Sequence, residues 1–233
     1  MERTNKLRWC MSVGYNPNLV TSNLQLCLDA ANPRSWPGSG SSWFDASGNG
    51  KTGTLVNGPT YNSGNGGSFA FDGVDDYVNV SNFNINHGTS NFTYSCWAYL
   101  SGKPALGTIF ENGSWTNCIL LRFENTGITV YSMGTYYGFF SWNPSLSVWN
   151  HLTWVRDGNN ILFYVNGDFS ASLAFGTSLN VNPSPGNLFI GTSQHAVNQC
   201  FNGRLNLCTV YTSALTAAQV LQNFNAQRGR YGI

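Results

Sequence analysis

An all-β sandwich is the fold class this 233-residue sequence predicts, and three observations predict it. Nearly everything after residue 20 reads as short strands separated by Gly, Asn, Ser and Pro. Apolar residues make up 42% of the chain and aromatics 15%, enough to fill a sizeable core between two layers. Only one stretch, near the C-terminus, carries a helical signal. No linker, composition break or repeat divides the chain, and sandwiches of this length are common as single domains.

The strands can be justified in order. "SFAF" alternates Phe69 with Phe71, and "YVNV" alternates Val78 with Val80. "NFTYSCWAYL" puts Phe92, Tyr94, Cys96, Ala98 and Leu100 on one face, with Trp97 and Tyr99 on the other. Apolar bulk on both faces implies a strand covered on both sides, or one presenting aromatics at a concave surface. In "HLTWVRDGNNILFYVNGDFSASL" a turn at Asp157–Asn160 separates Leu152 and Trp154 from Ile161, Phe163 and Val165. Asn166-Gly167 then signals a type I′ hairpin, because both central residues need positive φ. In "FNGRLNLCTVYT", Leu205, Leu207, Thr209 and Tyr211 share one face of a regular strand. The helix follows. Thr216 and Gln219 form a capping-box pattern, Leu215 and Val220 a hydrophobic staple, and Gly229 is placed to end it.

Charged residues reach only 9%, against roughly 25% in ordinary globular proteins. With a net charge of +1 there is no electrostatic case for nucleic acid or an anionic membrane. No stretch approaches the roughly 20 continuous apolar residues of a membrane span. "MERTNKLRWCMSVGYN" lacks the apolar region of a secretion signal, which suggests an unprocessed product. Residues 1–19 read as an N-terminal arm that a partner or neighbouring subunit must hold, and 20–233 as the domain. Cys10, Cys27, Cys96, Cys118, Cys200 and Cys208 are scattered, with no C-x-x-C. Mostly reduced thiols are expected; if any pair bridges, it is Cys200–Cys208.

The chemistry-bearing stretches are few. "GNGKTG" satisfies G-x-G-x-x-G, but no helical period follows, so these are turn glycines. "DASGNG" begins like a calcium loop, yet position twelve is Val56 rather than Glu; Asp45 reads as an Asx turn instead. "FAFDGVDDYVNV" gathers Asp72, Asp75 and Asp76. Adjacent acids on a strand point to opposite faces and make a poor catalytic couple, which leaves a turn or a Ca²⁺ site. Glu111 and Glu124 could meet across neighbouring strands, though nothing around them singles them out. His87, His151 and His195 lie far apart, and His151 reads as a packed strand residue. Trp115, Tyr136, Tyr137 and Trp142 cluster in loop-like sequence and suit either sugar stacking or a subunit interface.

Several blocks in order carry a resemblance: "LCLDAANPRSWPGSGSSWFDASGNGKTGTLVNGPTYN", "FAFDGVDDYV", "WNHLTWVRDGNNILFYVNG", "LFIGTS" and "FNGRLNLCTVYTSALTAAQVLQNFNAQRGRYG". Together they resemble the laminin-G-like branch of concanavalin A-like jelly rolls, in the version found in virion structural proteins of tailed, notably marine, phages. The resemblance implies a two-sheet antiparallel jelly roll used for binding or assembly and without catalytic activity. It implies Ca²⁺ or glycan at the sandwich rim, with Asp75 and Asp76 as metal ligands. Where the family often has an acid this chain has Asn206, which weakens any metal inference at that strand. The expected role is a capsid-decorating or tail-associated virion protein, made in the host cytoplasm and oligomeric in the particle. Its partners would be a major capsid or tail protein, docked through the sandwich loops and through Arg3, Lys6, Arg8 and Trp9 of the arm. The alternative role is a carbohydrate-binding module for cell-surface glycans.

Overall fold

The computed structural model describes residues 18–85, 90–102, 106–114, 117–125, 127–132, 135–174, 186–194 and 198–233. In chain order the strands begin with β1 (Leu24–Leu28), β2 (Ser42–Trp43), β3 (Gly53–Val56), β4 (Thr60–Asn62), β5 (Ser68–Asp72) and β6 (Tyr77–Val80). Then come β7 (Phe92–Leu100), β8 (Leu106–Ser114), β9 (Asn117–Glu124), β10 (Gly127–Ser132) and β11 (Thr135–Ser141). The last are β12 (Trp149–Asp157), β13 (Asn160–Val165), β14 (Asp168–Ala174), β15 (Leu188–Ile190) and β16 (Asn202–Tyr211), followed by helix α1 (Ala217–Tyr231).

Two antiparallel sheets result, as a jelly-roll sandwich requires. The first runs β14-β13-β12-β7-β16-β5-β4, with β1 also paired to β16; the second runs β11-β10-β9-β8-β15-β6-β3-β2. Phe92, Tyr94 and Cys96 from one sheet and Phe110, Ile119 and Leu121 from the other fill the space between them. At about 25 cal/mol per Å² of apolar area removed from water, such aromatic side chains dominate the driving force for folding.

The two-faced pattern of β7 has a direct cause. Its second face, with Trp97 and Tyr99, belongs to a separate core under α1. The Trp97 ring lies flat on Tyr231, with centroids 3.9 Å apart, and parallel to Phe224 at 5.7 Å. Helix α1 therefore covers the outer face of the first sheet, and β7 is enclosed from both sides. Thr216 caps α1 with the reciprocal Gln219 bonds, and Leu215 and Val220 are buried as a staple requires. The N-terminal end of the described chain fastens to the same layer. The Val20 amide donates to Asn223 Oδ1 at 2.9 Å, and Gln222 Nε2 donates to the Asn18 carbonyl at 2.7 Å.

Two sequence expectations need correction. Gly229 does not end α1: the helix runs through it and stops at Gly232, whose φ of 76° supplies the left-handed cap. Leu205, Leu207, Thr209 and Tyr211 do not share a face. The β16–β7 register slips between Asn206 and Thr209, and Leu207 adopts φ 43°. This bulge returns Cys208 and Val210 to the inter-sheet core and turns Leu207 and Tyr211 toward α1. The cysteines follow the expectation of mostly reduced thiols, and Cys200 and Cys208 are not bridged. Cys27, Cys96, Cys118, Cys200 and Cys208 are all free and buried, and Cys10 lies outside the described residues.

The turn chemistry matches the sequence. Asn166 and Gly167 have φ of 52° and 85°, as a type I′ turn needs. Asp45 Oδ1 accepts the Cys27 and Ser47 amides, both at 2.9 Å, and its Oδ2 accepts Lys51 N–H at 3.1 Å. Asn206 is fully buried in a structural network, accepting the Ala30 amide at 2.8 Å and donating to the Tyr231 hydroxyl at 2.9 Å.

Candidate functional site

The acids of "DGVDD" occupy the loop from β5 to β6, which crosses from one sheet to the other. Gly73, at φ 79°, makes the turn. Asp72 Oδ1 accepts Val74 N–H at 2.7 Å and Asp75 N–H at 3.3 Å, and Asp76 Oδ2 accepts the Asp72 amide at 3.0 Å. The loop is thus an Asx-type turn held by its own carboxylates. One oxygen from each of Asp72, Asp75 and Asp76 also lies within 4.8 Å of the others. The backbone N–H of Val74 holds the Asp72 carboxyl below its ordinary pKa. Burial, reinforced by the charges of Asp72 and Asp75, pushes the Asp76 carboxyl above it. A hard cation taking several oxygens would relieve that repulsion.

Beside this loop a groove of about 540 Å³ opens on the outer face of the second sheet. Side chains alternate along a strand, so the inward packing of Val78 and Ile190 sends Tyr77 and Phe189 outward. Their rings form a tilted pair with centroids 5.9 Å apart. Asn57, Asp75, Thr192, Gln194 and Asn198 complete a lining rich in amide and hydroxyl groups. The Asn57 side chain donates to the Asp75 carbonyl at 3.0 Å, tying the β3–β4 loop to the acid loop. A smaller depression holding Asp72 and Asp76 shares Asn57, so the acids stand between two concavities. The sequence placed Asp75 and Asp76 here; Asp72 joins them. Tyr77 and Phe189 were missed, although the alternation of Val78, Val80, Leu188 and Ile190 carries the signal for their outward direction.

The other sequence candidates are dispersed. Arg3, Lys6, Arg8, Trp9, Trp115, His87 and His195 lie outside the described residues. Tyr136 and Tyr137 are placed on β11 by their backbone, and their side chains fall outside the described set. Trp142 stacks on Phe123 at 5.6 Å and meets Phe163 edge-on at 5.8 Å, so its ring is engaged with the sandwich core.

Catalytic groupings fare no better on geometry. Glu111 pairs across the strands with Leu120 and Phe189, whereas Glu124 pairs with Leu106 and Gly127 and is held by Arg122 at 3.2 Å. The two glutamates therefore do not face each other. Ser95 Oγ lies 2.8 Å from His151 Nε2, a spacing that a nucleophile and its base also show. Both are buried beneath α1, with Trp97 and Phe224 against the imidazole. Burial pushes the His151 pKa down to about 3, so the ring is neutral at ordinary pH and packs as a strand residue. No helix among the described residues is long and apolar enough to cross a membrane.

A two-sheet jelly roll with a groove at its loop rim is the build of a lectin-like domain. The Laminin_G_3 model, described as "Concanavalin A-like lectin/glucanases superfamily", matches residues 72–221, and the chain belongs to that family. No curated protein sequence matches it. Among solved structures it is similar to domain 4 of AbnA, a GH43 extracellular arabinanase from Geobacillus stearothermophilus, in complex with arabinotriose. The TM-score is 0.68 at 17% identity, over 88% of this chain and 98% of that one. It is also similar to the botulinum neurotoxin serotype D binding domain, at TM-score 0.71 and 14% identity, over 89% of this chain and 53% of that one. The binding domain of botulinum neurotoxin DC in complex with SialylT gives 0.69 and 15%, over 89% and 52%. The chain thus spans about half of each toxin binding domain. At these identities the likeness is one of fold.

Proposed function

We propose that this chain is a non-catalytic carbohydrate-binding module whose ligand lies in the groove at Tyr77. The observation that carries this reading is the juxtaposition of an aromatic ring with amide and hydroxyl groups at a concave rim. A sugar presents an apolar C–H face and a fringe of hydroxyls; an amphipathic ring takes the first and Asn57, Gln194 and Asn198 take the second. Similarity to domains described in complex with arabinotriose and with SialylT supports the class of ligand. Asp72, Asp75 and Asp76 are where a Ca²⁺ would join the site, with loop carbonyls completing its shell. The test is a glycan array read with and without chelator, on the chain and on Tyr77→Ala. Retention by the chain and at least tenfold weaker retention by Tyr77→Ala is expected. No glycan retained in either condition removes the reading.

The resemblance to phage virion proteins bears on where such a module is used. On a particle it would grip host-surface sugars while residues 1–19 dock to a capsid or tail protein. Mass spectrometry of purified particles, with copy number relative to the major capsid protein, tests this. A chain missing from particles removes it.

A further inference from the structure

One ionisable group sits directly behind the groove and takes no part in the proposed sugar contacts. Glu111, on β8, is fully buried on the outer side of the second sheet. Its cross-strand neighbour on β15 is Phe189, the ring that backs Tyr77. Its Oε2 accepts the Ser193 hydroxyl at 2.5 Å, and its carboxylate also accepts the Gln194 amide. Ser193 and Gln194 line the groove together with Phe189. On its other side Glu111 borders a second cavity, of about 80 Å³, lined by Leu120, Arg122, Tyr131 and Gln199. The carboxyl thus lies between two cavities, separated from the groove only by the residues it holds.

We propose that Glu111 is a positioning residue whose protonation state sets the shape of the groove wall at Phe189, Ser193 and Gln194, and with it the affinity for sugar. This rests on the groove being the ligand site. Burial of the carboxyl pushes its pKa up to about 7, so both states are populated near neutral pH. Among the described residues the groups facing it are few. From β9 come Arg122 and Cys118, and from β10 Tyr131. Strand β15 brings no titratable side chain, and Ser193, Gln194 and Gln199 are neutral. Arg122 is itself engaged, donating to Gln199 at 2.9 Å and Glu124 at 3.2 Å. Ionisation therefore places a charge in a buried site, where desolvation outweighs the two bonds the carboxylate accepts, and moving Ser193 and Gln194 outward is what rehydrates it. A sugar covering the wall would exclude that water further, so binding takes up a proton and weakens as pH rises. If only the protonated form is competent, affinity falls roughly tenfold from pH 6 to pH 8.

The test needs no ligand. Hydrogen–deuterium exchange of the peptide spanning Phe189–Gln194, corrected for intrinsic rates, is compared at pH 6 and pH 8. In the wild-type chain protection should fall at the higher pH, and in Glu111→Gln, a neutral isostere, it should stay constant. Equal protection of the wild type at both pH values overturns the coupling, as does an equal fall in Glu111→Gln. The wild-type comparison stands whether or not the variant folds. A Glu111-dependent change without glycan retention on the array would remove the sugar reading and keep the coupling; retained glycan with pH-independent protection would do the reverse.

Discussion

The Arg230 guanidinium clasps the Asp29 carboxylate through both terminal nitrogens, at 2.9 Å and 3.1 Å, joining the last turn of α1 to the end of β1. Asp29 is buried, and Arg230 keeps only 20% of its side chain exposed. Removing one partner of such a pair leaves an uncompensated buried charge. Arg230→Met should therefore cost about 3 kcal/mol in urea unfolding, the low end of the range for buried pairs because of that exposure. Adding Asp29→Asn should recover most of the loss. A single variant as stable as the wild type would show that the clasp contributes nothing.

Gly229 and Gly232 make opposite predictions from nearby positions. Gly229 lies inside α1 with nothing within 4 Å of a would-be Cβ, so Gly229→Ala should stabilise by about 0.5–1 kcal/mol. Gly232 holds φ 76°, where an L side chain is strained, so Gly232→Ala should cost about 1 kcal/mol. Thermal melts of the two variants check this, and a common sign for both would contradict the assigned end of α1.

Stability should depend on pH through two buried groups of opposite sign. Glu111 has its folded pKa raised from 4.5 to about 7, so its contribution is full below pH 4.5 and is lost as pH climbs through 7. His151 has its folded pKa lowered from 6.5 to about 3, so its contribution is full above pH 6.5 and is lost as pH falls through 3. Each is worth at most about 1.4 kcal/mol per pH unit within its window. Between pH 4.5 and 6.5 the two nearly cancel. Glu111→Gln should flatten the decline between pH 6.5 and 7, and His151→Gln the loss below pH 4.5, both read from urea midpoints across the range.

Calcium should raise the melting temperature by mass action if the acids of the β5–β6 loop take it up. Asp75→Asn should abolish that rise, and magnesium, which dehydrates reluctantly, should not reproduce it. Equal melting with and without millimolar calcium would leave the acids as turn residues alone.

Much of the sandwich was legible because period-two alternation reports which side of a strand is buried. Phe92, Tyr94 and Cys96 against Trp97 and Tyr99 showed it plainly, down to the need for cover on both faces. Alternation fails where the backbone slips: nothing local in "RLNLCTVY" marks the bulge at Leu207, which long-range pairing with β7 and β1 imposes. Gly229 looked like a helix end because glycine favours one, yet Tyr231, beyond it, is held on Trp97 and draws the helix on. The site was half legible. "DGVDD" announces a turn of acids from its own chemistry, whereas the groove needs Tyr77 and Phe189, over a hundred positions apart, to meet through β6 and β15. Glu111 carried no local signal, since its character comes from what covers it.

The seal that α1 forms over Trp97 makes the two broad sides of the molecule unequal. Asn18 and Val20 are fastened to that sealed side, and Tyr231 packs there on Trp97, while Tyr77 looks out from the opposite layer. Anything joined behind α1 would leave from the back, so a graft at the C-terminal end should display the groove rather than smother it.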